Sequence, residues 1–362
     1  MFNLLYQEVG NIGILDGTNT RCDRRRLIES YLQIKMRGKK YKLIWIESIC
    51  TLDSIIESNI FKTKINSPDY KNWNDPEKAA EDFRNRIREY EKIYEKVSIE
   101  NDSENAAFIQ IINQGEKMII RNVKGYIESK IISYLTNLHT GDRPIFFLRH
   151  GESEANKLGI IGGDASLSQL GEKYSDIVAK FFERESAHFT QKPVIFTSTL
   201  RRSIQTADKL MFLNNYKAEK KLDELKSGLR DGITYEEFKA KYPEEEKERS
   251  LDKLNYRYPR GESYMDVIQR IEPIIFEIER IRAPVIIVGH QGMLRCLYGY
   301  FAGVPIEMIP TLEIPMHTVI KFVPDAYGFY EVRYKVDAES GYILEDDKCF
   351  VKFYDDLLHV PE

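Results

Sequence analysis

Two short runs in the 362-residue chain carry groups that could do chemistry together: Arg149-His150-Gly151-Glu152 and, about 140 residues later, Gly289-His290-Gln291-Gly292. Each histidine stands where an apolar run ends, the first after Ile145-Phe146-Phe147-Leu148 and the second after Val285-Ile286-Ile287-Val288. Near-continuous apolar runs of that length suit buried parallel strands. Two imidazoles at strand ends with arginines close by suit phosphoryl transfer through a phosphohistidine. A neutral imidazole nitrogen is a competent nucleophile near neutral pH. A phosphoryl group in flight needs fixed cations around its oxygens. In that chemistry His150 is the nucleophile, and Arg149 and Arg202 grip phosphate oxygens with planar guanidinium groups. His290 donates a hydrogen bond to the phosphoryl group, and Asn156 is a neutral donor to the same group.

The elements that must position these residues follow from the pattern of apolar residues. In the first part, strands are expected at residues 11–15, 41–46 and 107–112, and helices at 24–36, 77–95 and 123–138. A boundary is expected at His139-Thr140-Gly141-Asp142, after which the alternation restarts. Strands at 144–148, 193–196 and 284–288 are separated by helices. The clearest helix spans 262–281, with Val267, Ile268, Ile271, Ile274, Ile275, Ile278 and Ile281 on one face and Ser263 with Asp266 as a capping box. Strands alternating with helices argue for an α/β chain of two domains built on mainly parallel sheets.

Composition narrows the class further. A hydrophobic content of 42% and a charged content of 30% describe a folded chain with room for two cores. A net charge of −4 gives no reason to expect nucleic acid or a polybasic membrane contact. No apolar run approaches the ~18 residues that cross a bilayer, and the first residues lack the pattern of a secretory signal. Cys22, Cys50, Cys296 and Cys349 are scattered and form no metal-type pair, as expected of reduced thiols in a cytoplasmic protein.

From Arg149 onward the chain resembles the histidine phosphatase superfamily, also called phosphoglycerate mutase-like. In particular it resembles the fructose-2,6-bisphosphatase half of the bifunctional 6-phosphofructo-2-kinase/fructose-2,6-bisphosphatase family. The resemblance rests on Leu148 to Asn156, Gly162-Gly163-Asp164, Leu167-Ser168, Thr197-Ser198 and Arg202 to Ala207. Further on it rests on Thr234 to Glu237, Tyr256 to Tyr264, and His290-Gln291 followed by Met293 to Cys296. It implies a three-layer α/β/α domain over 143–335, with 336–362 as a tail. It also implies that His150 attacks the 2-phosphate of fructose 2,6-bisphosphate and that Glu224 is the acid protonating the leaving sugar oxygen. Gly162, Tyr235, Arg249, Lys253, Arg257, Gln291 and Arg295 match positions that hold the fructose 6-phosphate moiety. No metal or other cofactor is implied for this half, since arginine and histidine supply the positive charge. The chain departs from the family pattern at Ile160, where arginine is usual, at Lys226, where an acid is usual, and at Gly289 and Gly292.

Residues 1–140 resemble the second part of the 6-phosphofructo-2-kinase domain, through Asp16 to Thr20 with Arg24-Arg25, Glu47 to Cys50, Lys64, Ser67 to Tyr70, and Glu81 to Glu91. That implies an incomplete P-loop-kinase-like parallel sheet. Asp16 matches a position that holds Mg²⁺ or activates the sugar hydroxyl, and Thr20, Lys64, Arg86 and Tyr90 match positions for fructose 6-phosphate or nucleotide. The P-loop GxxxxGK(S/T) itself occurs nowhere; Arg37-Gly38-Lys39-Lys40 lacks the first glycine and the hydroxyl residue. ATP and Mg²⁺ are therefore expected only if the kinase half is completed, and the pattern points to a sequence that continues upstream. The expected partners are a sugar phosphate and a second copy of the chain. The rival readings are a mutase or broad-specificity phosphatase on the same site, and a non-catalytic sugar-phosphate sensor.

Overall fold

The computed structural model describes residues 12–64, 70, 75–137, 143–324, 328–346 and 348–352. The chain divides into two compact units, Met1–Leu138 and His139–Glu362. The expected boundary at 139–142 lies outside the described residues.

The first unit contains α1 (Cys22–Lys35), β1 (Trp45–Ile49), α2 (Asp53–Asn59), α3 (Pro76–Glu91), β2 (Phe108–Ile112), β3 (Lys117–Arg121) and α4 (Tyr126–Asn137). Its sheet has the order β1-β2-β3. β1 runs parallel to β2, with Trp45 opposite Phe108. β2 and β3 form an antiparallel hairpin, with Phe108 opposite Arg121. The expectation of a mainly parallel sheet is thus corrected to a mixed one. The connection Asn113-Gln114-Gly115 carries positive φ at all three positions, as a tight hairpin requires. Residues 12–15, expected as a strand, form none, and Ile14 is 84% exposed. An apolar run becomes a strand only where a sheet edge accepts it. The second strand lies at 45–49 instead of 41–46, because Trp45 is the residue that enters the small core with Val97, Ala106 and Phe108. A buried ion pair between Arg25 and Asp102 ties α1 to the 98–102 turn.

The second unit holds the larger sheet. In chain order its elements are β4 (Ile145–Arg149), α5 (Glu154–Lys157), α6 (Gln169–Ser186), β5 (Val194–Thr197), α7 (Arg201–Asp208) and β6 (Tyr216–Ala218). There follow α8 (Tyr235–Lys241), α9 (Pro243–Leu251), α10 (Tyr264–Arg280), β7 (Val285–Gly289) and α11 (Gln291–Phe301). The last strands are β8 (Thr318–Pro324), β9 (Gly328–Val336), β10 (Ile343–Glu345) and β11 (Cys349–Lys352). The strand order is β10-β9-β8-β4-β7-β5-β6, with β11 also paired to β9. β4, β7, β5 and β6 are parallel, and β8 to β11 extend the sheet antiparallel. The segment after 336, expected as a tail, therefore adds two edge strands to the sheet.

Strand alternation distributes the core to both faces. Ile145 and Phe147 join a cluster with α10 and α11, whereas Phe146 and Leu148 join one with α6. Both faces of the central strands are thus covered, which makes three layers. The four cysteines are free. Among the described residues no helix is long and apolar enough to cross a membrane.

Candidate active site

The parallel pairing of β4 and β7 places Arg149 opposite Gly289. His150 and His290 are the next residues on each strand, so the register alone brings them to the same carboxyl edge of the sheet. Clefts at that edge are where open α/β sheets bind ligands. The His150 N–H donates to the Gly289 carbonyl at 2.9 Å, and the two imidazole centroids lie 4.9 Å apart. Both rings are buried, at 3% and 1% exposure.

The protonation of His150 follows from its partners. Its Nδ1 lies 2.7 Å from the Gly151 carbonyl, which can only accept, so Nδ1 carries the hydrogen and Nε2 holds a lone pair. Burial, reinforced by the charges of Arg202, Arg149 and His317, holds the imidazole well below its ordinary value of 6.5. His290 is lowered in the same direction, by burial and then by His150 and Arg202. Arg202, near the start of α7 and 4% exposed, donates from Nε to His150 Nε2 at 3.0 Å and from a terminal nitrogen to the Gly163 carbonyl at 2.7 Å. Arg149 leaves its buried Nε without a partner. His150, His290 and Arg202 thus form one contiguous group, while a terminal nitrogen of Arg149 donates to the Ile314 carbonyl at 3.4 Å.

The remaining expected residues sort into three groups. The Asn156 Oδ1 accepts from the Ser153 N–H and hydroxyl in a capping box, and this orients the carboxamide. Glu224 accepts from the Leu225 and Gly292 N–H groups at 2.9 and 3.3 Å, the second at the start of α11. Its charge acts on both Arg149 and Arg202. Gly162 has φ +71°, and a Cβ there would fall 1.7 Å from Asp231 Oδ1, which also accepts from the Gly163 N–H. This turn must stay free of side chains to present the Gly163 carbonyl to Arg202. Gln291 opens α11 directly after His290.

A second cationic group forms nearby. Arg295 donates to the Leu312 carbonyl at 2.6 Å and to the Tyr264 hydroxyl at 3.0 Å. The Arg249 guanidinium lies 6.0 Å from the Tyr258 ring centroid. Burial, with the charges of Arg295 and Arg249, lowers the Lys253 ammonium to about 8. The charge of Arg295 also helps to lower Arg149, after burial, which sets the two cationic groups close enough to feel one another. Arg257 is the exception: it is exposed and pairs with Asp266 at 2.5 Å. A carboxylate nine residues on holds it in a surface pair, which an incoming phosphate could displace.

In the first unit, Asp16, Lys64 and Tyr90 are exposed, Thr20 is buried, and Arg86 bonds the Tyr70 hydroxyl at 3.0 Å. Among the described residues no group of three or more His, Cys, Asp or Glu could hold a metal ion. The GxxxxGK(S/T) loop that would cradle ATP phosphates occurs nowhere in the 362 residues.

Sequence reasoning missed Ser198, Ser203 and His317. The first two sit within hydrogen-bond reach of His290. His317 precedes β8, opposite the end of β4, and its ring stands 4.9 Å from that of Tyr174. The Thr197-Ser198 pair was visible as a motif, but its partner was not.

A fold of this kind with paired histidines and arginines at one strand edge defines a histidine phosphatase. Residues 145–337 match the family model of the histidine phosphatase superfamily (branch 1), and residues 1–142 match that of 6-phosphofructo-2-kinase. The chain is 40% identical over 341 residues to a 6-phosphofructo-2-kinase/fructose-2,6-bisphosphatase of Caenorhabditis elegans, covering 94% of this chain and 73% of that protein. An Arabidopsis thaliana protein of the same name is 42% identical over 334 residues, with 91% of this chain and 43% of that protein covered. For 6-phosphofructo-2-kinase/fructose-2,6-bisphosphatase 3 of Rattus norvegicus the identity is 40% over 324 residues, covering 90% and 56%. The chain belongs to the 6-phosphofructo-2-kinase/fructose-2,6-bisphosphatase family and spans 43–73% of the length of these three relatives.

Proposed function

We propose that the chain hydrolyses fructose 2,6-bisphosphate to fructose 6-phosphate and phosphate. The observation that carries this reading is the fixed tautomer of His150, whose Nε2 lone pair faces Arg202 beside a second neutral imidazole. Nε2 attacks the 2-phosphoryl phosphorus as the bond to the sugar O2 breaks. Glu224 gives its proton to that oxygen, and fructose 6-phosphate departs. Arg149, Arg202, His290 and the Asn156 amide hold the phosphoryl oxygens as charge develops on them. Water then attacks the phosphohistidine, Glu224 takes its proton, and phosphate leaves with His150 restored. Burial matters twice: it keeps both imidazoles neutral, and it strengthens each hydrogen bond to the phosphoryl group.

The Arg295–Lys253–Arg249 group, with Tyr235 and Gln291, is the pocket for the 6-phosphate. That group favours a doubly phosphorylated sugar over a monophosphate, and so favours the bisphosphatase over a broad-specificity phosphatase or mutase. The reaction needs no metal, and the four free thiols suit a reducing, cytoplasmic setting. The test compares kcat/KM for fructose 2,6-bisphosphate with that for an aryl phosphate. A preference of less than about tenfold removes the role of the second pocket. Trapping of ³²P on the protein from the 2-labelled sugar, and its loss in His150→Ala, separates the enzyme from a non-catalytic sensor.

A further inference from the structure

His290 is held by hydroxyl groups that no step above uses. Ser198 directly follows β5, and Ser203 is the third residue of α7. Both are fully buried. Their Oγ atoms lie 2.7 and 3.2 Å from His290 Nε2. The direction of the shorter bond follows from what else Ser198 does. The Leu200 N–H donates to Ser198 Oγ at 3.3 Å, which occupies a lone pair there. Among the described residues no other acceptor lies within hydrogen-bond reach of that hydroxyl. If His290 Nε2 carried the hydrogen and donated, the Ser198 O–H would be a buried donor with nothing to bond, which proteins avoid. If Ser198 donates to Nε2, its hydroxyl is satisfied, the more distant Ser203 hydroxyl shares the same lone pair, and His290 Nδ1 is left buried and without a partner.

We infer that Ser198 is a positioning residue: its hydroxyl, seconded by that of Ser203, holds His290 in the Nδ1–H tautomer, so that this ring offers an N–H donor to the phosphoryl group. The inference rests on the phosphohistidine reading and deepens it. Both catalytic rings carry their hydrogen on Nδ1, yet they offer opposite nitrogens to the site. His150 spends its N–H on the Gly151 carbonyl and keeps a lone pair for attack. His290 spends its lone pair on the serines and keeps an N–H for the phosphoryl oxygens. One tautomer, presented in two orientations, supplies a nucleophile and an electrophile without either ring bearing charge. With the opposite tautomer, His290 would turn a lone pair toward an anion and the electrostatic assistance would become repulsion.

The experiment uses the full chain labelled with ¹⁵N in its imidazole rings. Two-bond proton–nitrogen spectra, recorded without substrate, distinguish the tautomers, and His290→Gln identifies the signal. Expected is the Nδ1–H form in the wild type. Ser198→Ala shifts His290 toward a mixture, and the Ser198→Ala/Ser203→Ala double variant removes the bias. In parallel, kcat for fructose 2,6-bisphosphate falls about tenfold in the single and about a hundredfold in the double variant, with KM little changed. Ser198→Thr, which keeps a hydroxyl, retains both the ring signal and kcat. An Nε2–H tautomer in the wild type overturns the inference, whether or not any variant folds. So does a Ser198→Ala spectrum identical to wild type, even if kcat falls. A wrong substrate class would alter the kinetic arm and leave the ring signals as they are.

Discussion

Arg202 is where charge, geometry and nucleophile reactivity are coupled most tightly, and replacing it separates them. Its Nε lies 3.0 Å from His150 Nε2, a terminal nitrogen is held 2.7 Å from the Gly163 carbonyl, and the side chain is 4% exposed. In the proposed reaction it meets the phosphoryl oxygens as their charge grows. A preorganised donor of that kind contributes about 2.7–4 kcal/mol to the transition state, so Arg202→Gln lowers kcat by roughly 10²–10³. Arg202→Lys keeps a positive charge and loses the planar fork, so it retains part of the rate. The pH profile gives a sharper distinction. His150 attacks as the neutral base, so kcat/KM falls as pH drops through its pKa in the free enzyme. After burial, the charge of Arg202 is the main influence holding that pKa low. Removing the charge makes protonation easier and raises the pKa, so the acid limb of kcat/KM moves to higher pH in Arg202→Gln. In Arg202→Lys it stays near its wild-type position. The assay is kcat/KM for fructose 2,6-bisphosphate from about pH 5 to about pH 9 in all three proteins. If the acid limb of Arg202→Gln stays put or moves down, the electrostatic link between these two side chains is refuted.

Stability should carry the same signature. His150 and His290 are held neutral in the folded state, so below their ordinary 6.5 the unfolded chain binds protons that the folded one refuses. The stability contributed by the neutral rings is complete above that value. It declines as pH falls below it, by about 1.4 kcal/mol per histidine per pH unit. Thermal unfolding between about pH 7.5 and about pH 5 should therefore be steeper in wild type than in His150→Gln/His290→Gln. Lys253, lowered to about 8, loses its charge as pH rises past that value. KM for fructose 2,6-bisphosphate should climb there, KM for an aryl phosphate should not, and Lys253→Ala should abolish the difference. Gly171→Ala sets about 1 kcal/mol of helix propensity against a Cβ placed 2.1 Å from the Glu152 carbonyl oxygen. A backbone oxygen cannot swing aside, so overpacking of about 1–3 kcal/mol wins and the melting temperature should fall by several degrees. With no GxxxxGK(S/T) among its 362 residues, the chain should show no ATP-dependent phosphorylation of fructose 6-phosphate in a coupled assay.

The strands that end in His150 and His290 were legible because they are buried on both faces. Such strands need apolar residues at every position, and four in a row after a proline are hard to read otherwise. The edge strands obey a weaker rule. β6 is three residues long, and β10 and β11 are three and four, too short for a period to show. β3 was signalled by Asn113-Gln114-Gly115 between two apolar runs, a hairpin cue passed over because the parallel reading dominated. The reverse error at residues 12–15 has the same root: apolar residues report the wish to be buried, and only a partner edge makes a strand. Site residues divide along a similar line. His150, Arg202 and His290 are recognisable because their chemistry has few substitutes. Arg257 is harder to read, because its identity suits an anion equally well as substrate phosphate or as Asp266, its surface partner here. The partner of Ser198 was invisible for the opposite reason. A serine is unremarkable until β5 and β7 pair and set its hydroxyl 2.7 Å from an imidazole. The groups that react are thus written in residue type, whereas the groups that aim them are written in strand register.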